Sequence, residues 1–273
     1  MDRLMRVLSV PVVVQRSHEW YAKRRTRVTA SEAASVLGEN PYETAVDVLF
    51  KKLGLGRPFT GNIATRYGQQ HEPGAIAAYC AATGRASFEV GLIDYQAVHG
   101  ECPELSFIAG SPDGVTVLLG ACRDASEGGD CADAGRRAVS LIGPLGYESP
   151  PPLVDEASIA RALGTRDVAP VMLEVKCPFR RKIVFGTVPR HYYAQVQLNL
   201  LICGLECADF VEYRPSPFEL NIVRVYPDRA WLARSIPVLQ QFYAECLHYA
   251  HVGIETHPSY EKYAKYAQAQ AAG

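Results

Sequence analysis

The segment "MLEVKCPF" (172–179) sets an acid and a lysine two residues apart in an otherwise apolar run. Side chains of a strand alternate with period two, so Glu174 and Lys176 share one face and Leu173 and Val175 the other. "SPDG" (111–114) supplies a second acid, Asp113. Pro-Asp, a gap, then Glu-x-Lys has two readings. One is a hairpin turn plus an ion pair within a strand. The other is a hydrolytic metal site. Phosphodiester hydrolysis needs a cation that offsets phosphate charge and lowers the pKa of water. Magnesium takes hard oxygen ligands, often one or two carboxylates. Asp113, Glu174 and the Val175 carbonyl can supply them if their strands pair. Lys176 can then orient or deprotonate the attacking water, or offset charge in the transition state.

Several elements must position these residues. Segment 42–53 has apolar residues at helical spacing, and 65–84 reads as a helix interrupted at Pro73-Gly74, either bent or restarted there. From 86 to 119 the pattern is of strands, with "SPDG" as a hairpin. Residues 120–168 are rich in Gly, Ala, Asp, Arg and Pro and read as an inserted loop with one short helix at 155–163. A strand follows at 170–177. A helix at 190–204 stacks Tyr192, Val196 and Leu200 and stops at Gly204. Two strands come next ("ADFVEYRP" and "ELNIVRVYP"). Asp228 caps a helix over 229–250, with a bend expected at Pro237. The expectation is an α/β (α+β) domain with a central sheet over 1–257, an inserted region at about 120–168, and a C-terminal tail at 258–273.

The whole chain excludes some classes. It has 273 residues, 48% hydrophobic, and a net charge of −1. No run approaches the ~20 apolar residues of a membrane span. "LMRVLSVPVVVQ" (4–15) is broken by Pro11 and reads as an early strand or packing arm, not a secretion signal. Eight cysteines form no CxxC pair, and Cys203 and Cys207 have Gly204 between them and no second pair after them. Reduced cysteines fit an intracellular, non-secreted protein. His248, His251 and His257 lack partner ligands at metal spacing and read as surface or packing residues. Near-neutral net charge argues against charge-driven coating of nucleic acid. Basic clusters at 22–27, 51–52 and 179–182 can still hold a phosphate backbone in one groove, although Lys51 and Lys52 read as a solvated face.

Five blocks then occur in order between Trp20 and about Pro215: "EWYAKRRTRVTASEAASVLG", "YGQQHEPGA", "GSPDGV" with "LEVKCPF", "YYAQVQLNLLICG" and "FVEYRP". Together they resemble the phage lambda exonuclease and YqaJ-type viral recombinase nucleases of the PD-(D/E)XK superfamily. Asp113 and Glu174 stand 61 positions apart, wider than the spacing in lambda exonuclease.

The resemblance implies a restriction-endonuclease-like fold, a central mixed sheet flanked by helices. It implies Mg²⁺, with Mn²⁺ as a substitute and two ions in the site. The implied activity is 5′→3′ digestion of double-stranded DNA, leaving 3′ single strands for recombination or repair. The implied partners are double-stranded DNA and a single-strand annealing protein, with a trimeric ring as the family's assembly. Glu72 resembles the helix acid that faces the metals, against a plain surface glutamate. Gln195 resembles the active-site glutamine, against a buried structural amide. Arg24 and Ser31 resemble the pocket for a terminal 5′ phosphate. Arg180, Arg181 and Lys182 follow the catalytic strand and line the DNA groove in this reading. Trp20 and Tyr193 read as packing residues ahead of base-stacking ones. Two rivals stand beside the exonuclease. One is an endonuclease or nickase with the same core, and the other is a DNA-binding scaffold without catalysis.

Overall fold

The computed structural model describes residues 2–13, 17–56, 61–118 and 169–271. The insertion expected at 120–168, with its helix at 155–163, lies outside the described residues. Helices α1 (Asp2–Ser9), α2 (His18–Arg25), α3 (Ala30–Val36), α4 (Ala45–Lys52) and α5 (Ile63–Thr83) fill the first third, with strand β1 (Val28–Thr29) between α2 and α3. There follow β2 (Arg85–Phe88), β3 (Ile93–Asp94), α6 (Tyr95–His99), β4 (Ile108–Gly110) and β5 (Gly114–Leu118). The last third holds β6 (Val171–Lys176), α7 (Arg190–Cys203), β7 (Ala208–Pro215), β8 (Phe218–Val225), α8 (Arg229–Val252) and α9 (Tyr260–Ala271).

The strands form two sheets. One has the order β1-β4-β3, and the other β2-β5-β6-β7-β8. In the larger sheet β6 pairs antiparallel with β5 and parallel with β7. The sheet is therefore mixed, as expected. The central position of β6 explains its apolar run, because both faces are covered. Met172 faces the main core built with α3, α7 and α8. Leu173 and Val175 face a smaller cluster under α5, with Ala75, Ala78, Tyr79 and Tyr213. Glu174 and Lys176, in phase with Met172, are turned toward α7.

Four expectations are corrected, the last of them for Lys52. "SPDG" is not a hairpin: β4 and β5 belong to different sheets, and Ser111, Pro112 and Asp113 carry the chain from one to the other. The Asp113 N–H donates to the Leu173 carbonyl (3.1 Å), which starts the β5–β6 pairing instead of closing a turn. The segment read as an early strand or packing arm opens with a helix, so of the two alternatives the strand is corrected, while its side chains do pack into the core. Leu4 and Val7, three residues apart, are both buried, and that is helical spacing. The stretch 86–119 also includes the helix α6, whose Val98 is buried. Pro73 lies inside α5, which runs on as one element to Gly84 in the left-handed region (φ 68°). Likewise α8 runs through Pro237.

Lys52 is not on a solvated face. It is 8% exposed, and its ammonium donates to Glu32 Oε2 (2.7 Å), to the Arg24 carbonyl (3.0 Å) and to the Arg27 carbonyl. Glu32 also accepts from the Thr29 N–H (3.0 Å), as a capping glutamate does at a helix start. Burial opposes ionisation of Glu32. The charges of Lys52, Arg24 and Lys51 outweigh it and draw the carboxyl down from 4.5 to about 2. Removing one partner of a buried pair strands the other, so Lys52→Met should cost about 3 kcal/mol in the unfolding free energy from urea titration. Because the native value is depressed, Glu32's stabilisation is complete above 4.5 and is lost as pH falls toward about 2. Glu32→Gln should flatten that part of the acid-unfolding curve.

Candidate active site

Glu174 is fully buried, and three donors reach its carboxylate. Lys176 Nζ (2.5 Å) and Gln195 Nε2 (2.5 Å) donate to Oε1, and Asn199 Nδ2 (3.0 Å) donates to Oε2. Gln195 and Asn199 lie four residues apart on α7, and so reach the strand from one helix face. Asp113 arrives from the other side. Its Oδ2 accepts the Val175 N–H (2.6 Å) and lies 3.9 Å from Lys176 Nζ. Two carboxylates, far apart in the chain, thus surround one ammonium.

The charges do not cancel. Burial pushes the Glu174 carboxyl up from 4.5 to about 7; the Lys176 charge opposes this, and the negative charge of Asp113 adds to it. For Lys176, burial acts to release the proton, but Glu174 and Asp113 reverse the effect and hold it well above its ordinary value. An excess of negative charge on hard oxygens is what a divalent cation neutralises. The nearby thiol does not compete. Burial and the charge of Glu72 push Cys177 up to about 12, so it stays protonated. Among the described residues no cluster of three or more His, Cys, Asp or Glu ligands exists, so the protein donors to a cation here are few. The donor set Asp113, Glu174 and Val175 fits magnesium or manganese, which complete their shells with water and phosphate oxygens.

Asp113, Val175 and Lys176 line a cleft of about 720 Å³, together with Glu72, Cys177, Arg180 and Arg181. Aromatic rings flank it. Tyr67 packs on His71 and Phe179, while Tyr42 meets His191 edge-on. The Arg181 guanidinium pairs with Glu212, a fully buried acid on β7 (2.5 Å), and both Arg181 and Lys176 lie over the Tyr192 ring. Burial and the Arg181 and Lys176 charges push His191 down, which keeps its imidazole neutral at pH 7.

The expected site residues fall into three groups. Asp113, Glu174, Lys176 and Gln195 meet directly, and Val175 and Glu72 line the cleft beside them. Arg180 and Arg181 line it too, whereas Lys182 is exposed and is not among its lining residues. Arg24 and Ser31 form a separate pair. Arg24 NH2 donates to Ser31 Oγ (2.9 Å), lies 4.4 Å from the Trp20 ring centroid, and is 3.8 Å from Glu32. Neither lines the cleft. Tyr193 bonds Asp228 (3.1 Å), and Gln197 bonds the Asp228 N–H and the Tyr226 carbonyl, so both brace the start of α8. Sequence reasoning missed Asn199, Glu212, Glu32 and Lys52. The available signal for Asn199 was a second amide four residues after Gln195 in an apolar helix.

Residues 19–206 match the model of the YqaJ-like viral recombinase domain. The chain belongs to this family. It is 26% identical over 223 residues to an uncharacterized protein of Acanthamoeba polyphaga mimivirus, covering 80% of this chain and 32% of that protein. An African swine fever virus protein (isolate Tick/Malawi/Lil 20-1/1983) is 27% identical over 194 residues, covering 69% of this chain and 46% of that one. The chain thus spans less than half the length of these relatives. Crystal structures of an alkaline exonuclease, LHK-Exo from Laribacter hongkongensis, superpose with TM-scores of 0.55 for its dAMP complex and 0.52 for a second crystal structure. Each is 23% identical to this chain. They cover 91% and 94% of it, and 99% and 98% of their own chains. The fold is therefore the PD-(D/E)XK type, mixed sheets flanked by helices. Among the described residues no helix is long and apolar enough to cross a membrane.

A raised carboxyl stabilises the fold while it is protonated. The contribution of Glu174 is therefore full below 4.5 and is lost as pH rises through about 7. In EDTA the unfolding free energy of the wild type should fall across that window relative to Glu174→Gln. Added Mg²⁺ should reverse the trend, because binding favours the ionised carboxylate. Urea titrations at stepped pH, with and without the metal, check both signs.

Proposed function

We propose that this chain is a divalent-metal-dependent deoxyribonuclease that digests double-stranded DNA from its ends in the 5′→3′ direction and leaves 3′ single strands for recombination or repair. Membership of the viral recombinase family and the shared fold support a nuclease. One observation carries the catalytic reading: Asp113 and Glu174 converge on the Lys176 ammonium at a cleft that also holds two arginines.

Asp113, Glu174 and the Val175 carbonyl would hold the cation, with Glu72 assisting at a second ion. When bound, Mg²⁺ or Mn²⁺ would offset charge on the scissile phosphate and acidify the attacking water. The chain's own residues do the rest. Lys176, beside both acids, orients or deprotonates the attacking water, or offsets charge in the transition state. Gln195 fixes the Glu174 oxygen that Lys176 also touches. Arg180 and Arg181 hold backbone phosphates, and Arg181 suits this task because Glu212 fixes its fork. Arg24 and Ser31 take the terminal 5′ phosphate. Double-stranded DNA is the partner this arrangement fits. The annealing protein and the trimeric ring remain part of the proposal through the family alone.

Digestion of linear and covalently closed circular duplex, with 5′-phosphate and 5′-hydroxyl ends compared, separates the readings. The expected result is Mg²⁺-dependent release of nucleotides from linear DNA only. Asp113→Ala should lower the rate by at least about 100-fold, since even the residues that support metal ligands are worth about 10–100-fold. Arg24→Ala should reduce the preference for 5′-phosphate ends by roughly tenfold, the value of one hydrogen bond to a charged group. Cutting of the closed circle would instead establish an endonuclease. Equal inactivity of wild type and Asp113→Ala would leave a DNA-binding scaffold.

A further inference from the structure

The geometry points to Asn199 as a positioning residue that sets how Glu174 presents its carboxylate to a divalent cation, with Gly110 as the contact that aims it. This inference rests on the metal-site reading above and extends it to residues that touch neither metal nor DNA.

Glu174 Oε1 is shared by Gln195 and by Lys176, which itself lines the cleft. Oε2 has a different partner. It accepts only from Asn199 Nδ2 (3.0 Å) among the described hydrogen bonds. Asn199 is fully buried in α7, so water does not substitute for it. The orientation of the amide follows from chemistry. Turned the other way, its oxygen would face a carboxylate oxygen, acceptor against acceptor. The cost of the observed orientation is visible at the other end. Asn199 Oδ1 is buried and has no hydrogen-bond partner among the described residues. An unsatisfied buried acceptor is unfavourable, and an apolar side chain of the same shape would avoid it. The amide is thus poorly accounted for by packing and well accounted for by its bond to Glu174.

Gly110 explains why that amide stays in place. It ends β4 in the three-stranded sheet and lies against α7. A Cβ built on it would come 2.2 Å from Asn199 Oδ1 and 3.0 Å from Ile202 Cδ1. Nothing larger than hydrogen fits there without moving the asparagine. Its backbone needs no left-handed conformation, so the reason for glycine is close approach alone. Asn199 is therefore clamped between a backbone of one sheet and a carboxylate of the other.

The test uses Mn²⁺ as the probe, read by electron paramagnetic resonance of the free ion, with nuclease kinetics alongside. Asn199→Leu keeps the approximate volume and removes the donor. Gly110→Ala leaves Asn199 in the chain but displaces it. Both should weaken Mn²⁺ binding by about 10–100-fold. Excess metal should restore kcat, with KM for DNA unchanged, a split that a loosened fold does not produce. The double variant should be no worse than the poorer single one, because both act through one bond. Circular dichroism melts establish which variants are folded, and Gly110→Ala stands as the test if Asn199→Leu is not. A folded variant of either kind with wild-type Mn²⁺ affinity overturns the inference while the metal site stands. A wild type that binds no Mn²⁺ overturns both.

Discussion

A carboxylate without solvent contact dictates much of this molecule. Glu174 sits on the central strand of a five-stranded sheet, fully buried on the face that α7 covers. An ion there is costly unless donors surround it. The chain supplies them from two directions: Lys176 from the same strand and two amides from α7. The donors do not neutralise the pair of acids, and burial with residual repulsion raises Glu174. Strand order, the helix that covers the strand, and the link that brings Asp113 in are all needed for one arrangement. A fold that placed β6 at an edge would solvate the same acid and lose the strained electrostatics that suit it to a cation.

Parts of this were legible because they depend on local rules. Period-two alternation in 171–176 put Glu174 and Lys176 on one face, and the sheet shows them there. The apolar spacing of 190–204 with its terminal glycine gave α7 to within a residue. Asp228 caps α8 through the Trp231 N–H, as its type and place suggest. The order of blocks gave the family. What was not legible depends on partners distant in sequence. "SPDG" has ideal turn chemistry, yet whether two strands flanking a turn join each other or two other strands is decided by β1, β2, β3 and β6. Lys52 looked solvated because its partners are a glutamate 20 residues away and two carbonyls of another segment. Glu212 reads as an alternating strand residue. Only the register that sets it beside Lys176 on β7 shows it holding Arg181. For the N-terminal helix, Pro11 and the valines after it outweighed the helical spacing of Leu4 and Val7.

The protein holds two separate clusters of paired charges. One is the acid pair with Lys176 at the cleft. The other is Arg24 with Ser31, held by Trp20 and by the Glu32–Lys52 pair. In the second cluster three cations outweigh burial and draw the acid down; in the first, burial raises the acid and the charge of Asp113 adds to that. The same residue type is thus driven in opposite directions in two parts of one domain, according to the charges that surround it.

The three-residue passage between the sheets fixes where the second acid stands. Asp113 closes that passage and is fastened to β6 twice, by its N–H on the Leu173 carbonyl and by its carboxylate on the Val175 N–H. Asn199 reaches Glu174 on the same strand and packs against Gly110, the residue before the passage. One strand thus sets the place of both carboxylates, and a backbone of the small sheet limits the amide that holds one of them.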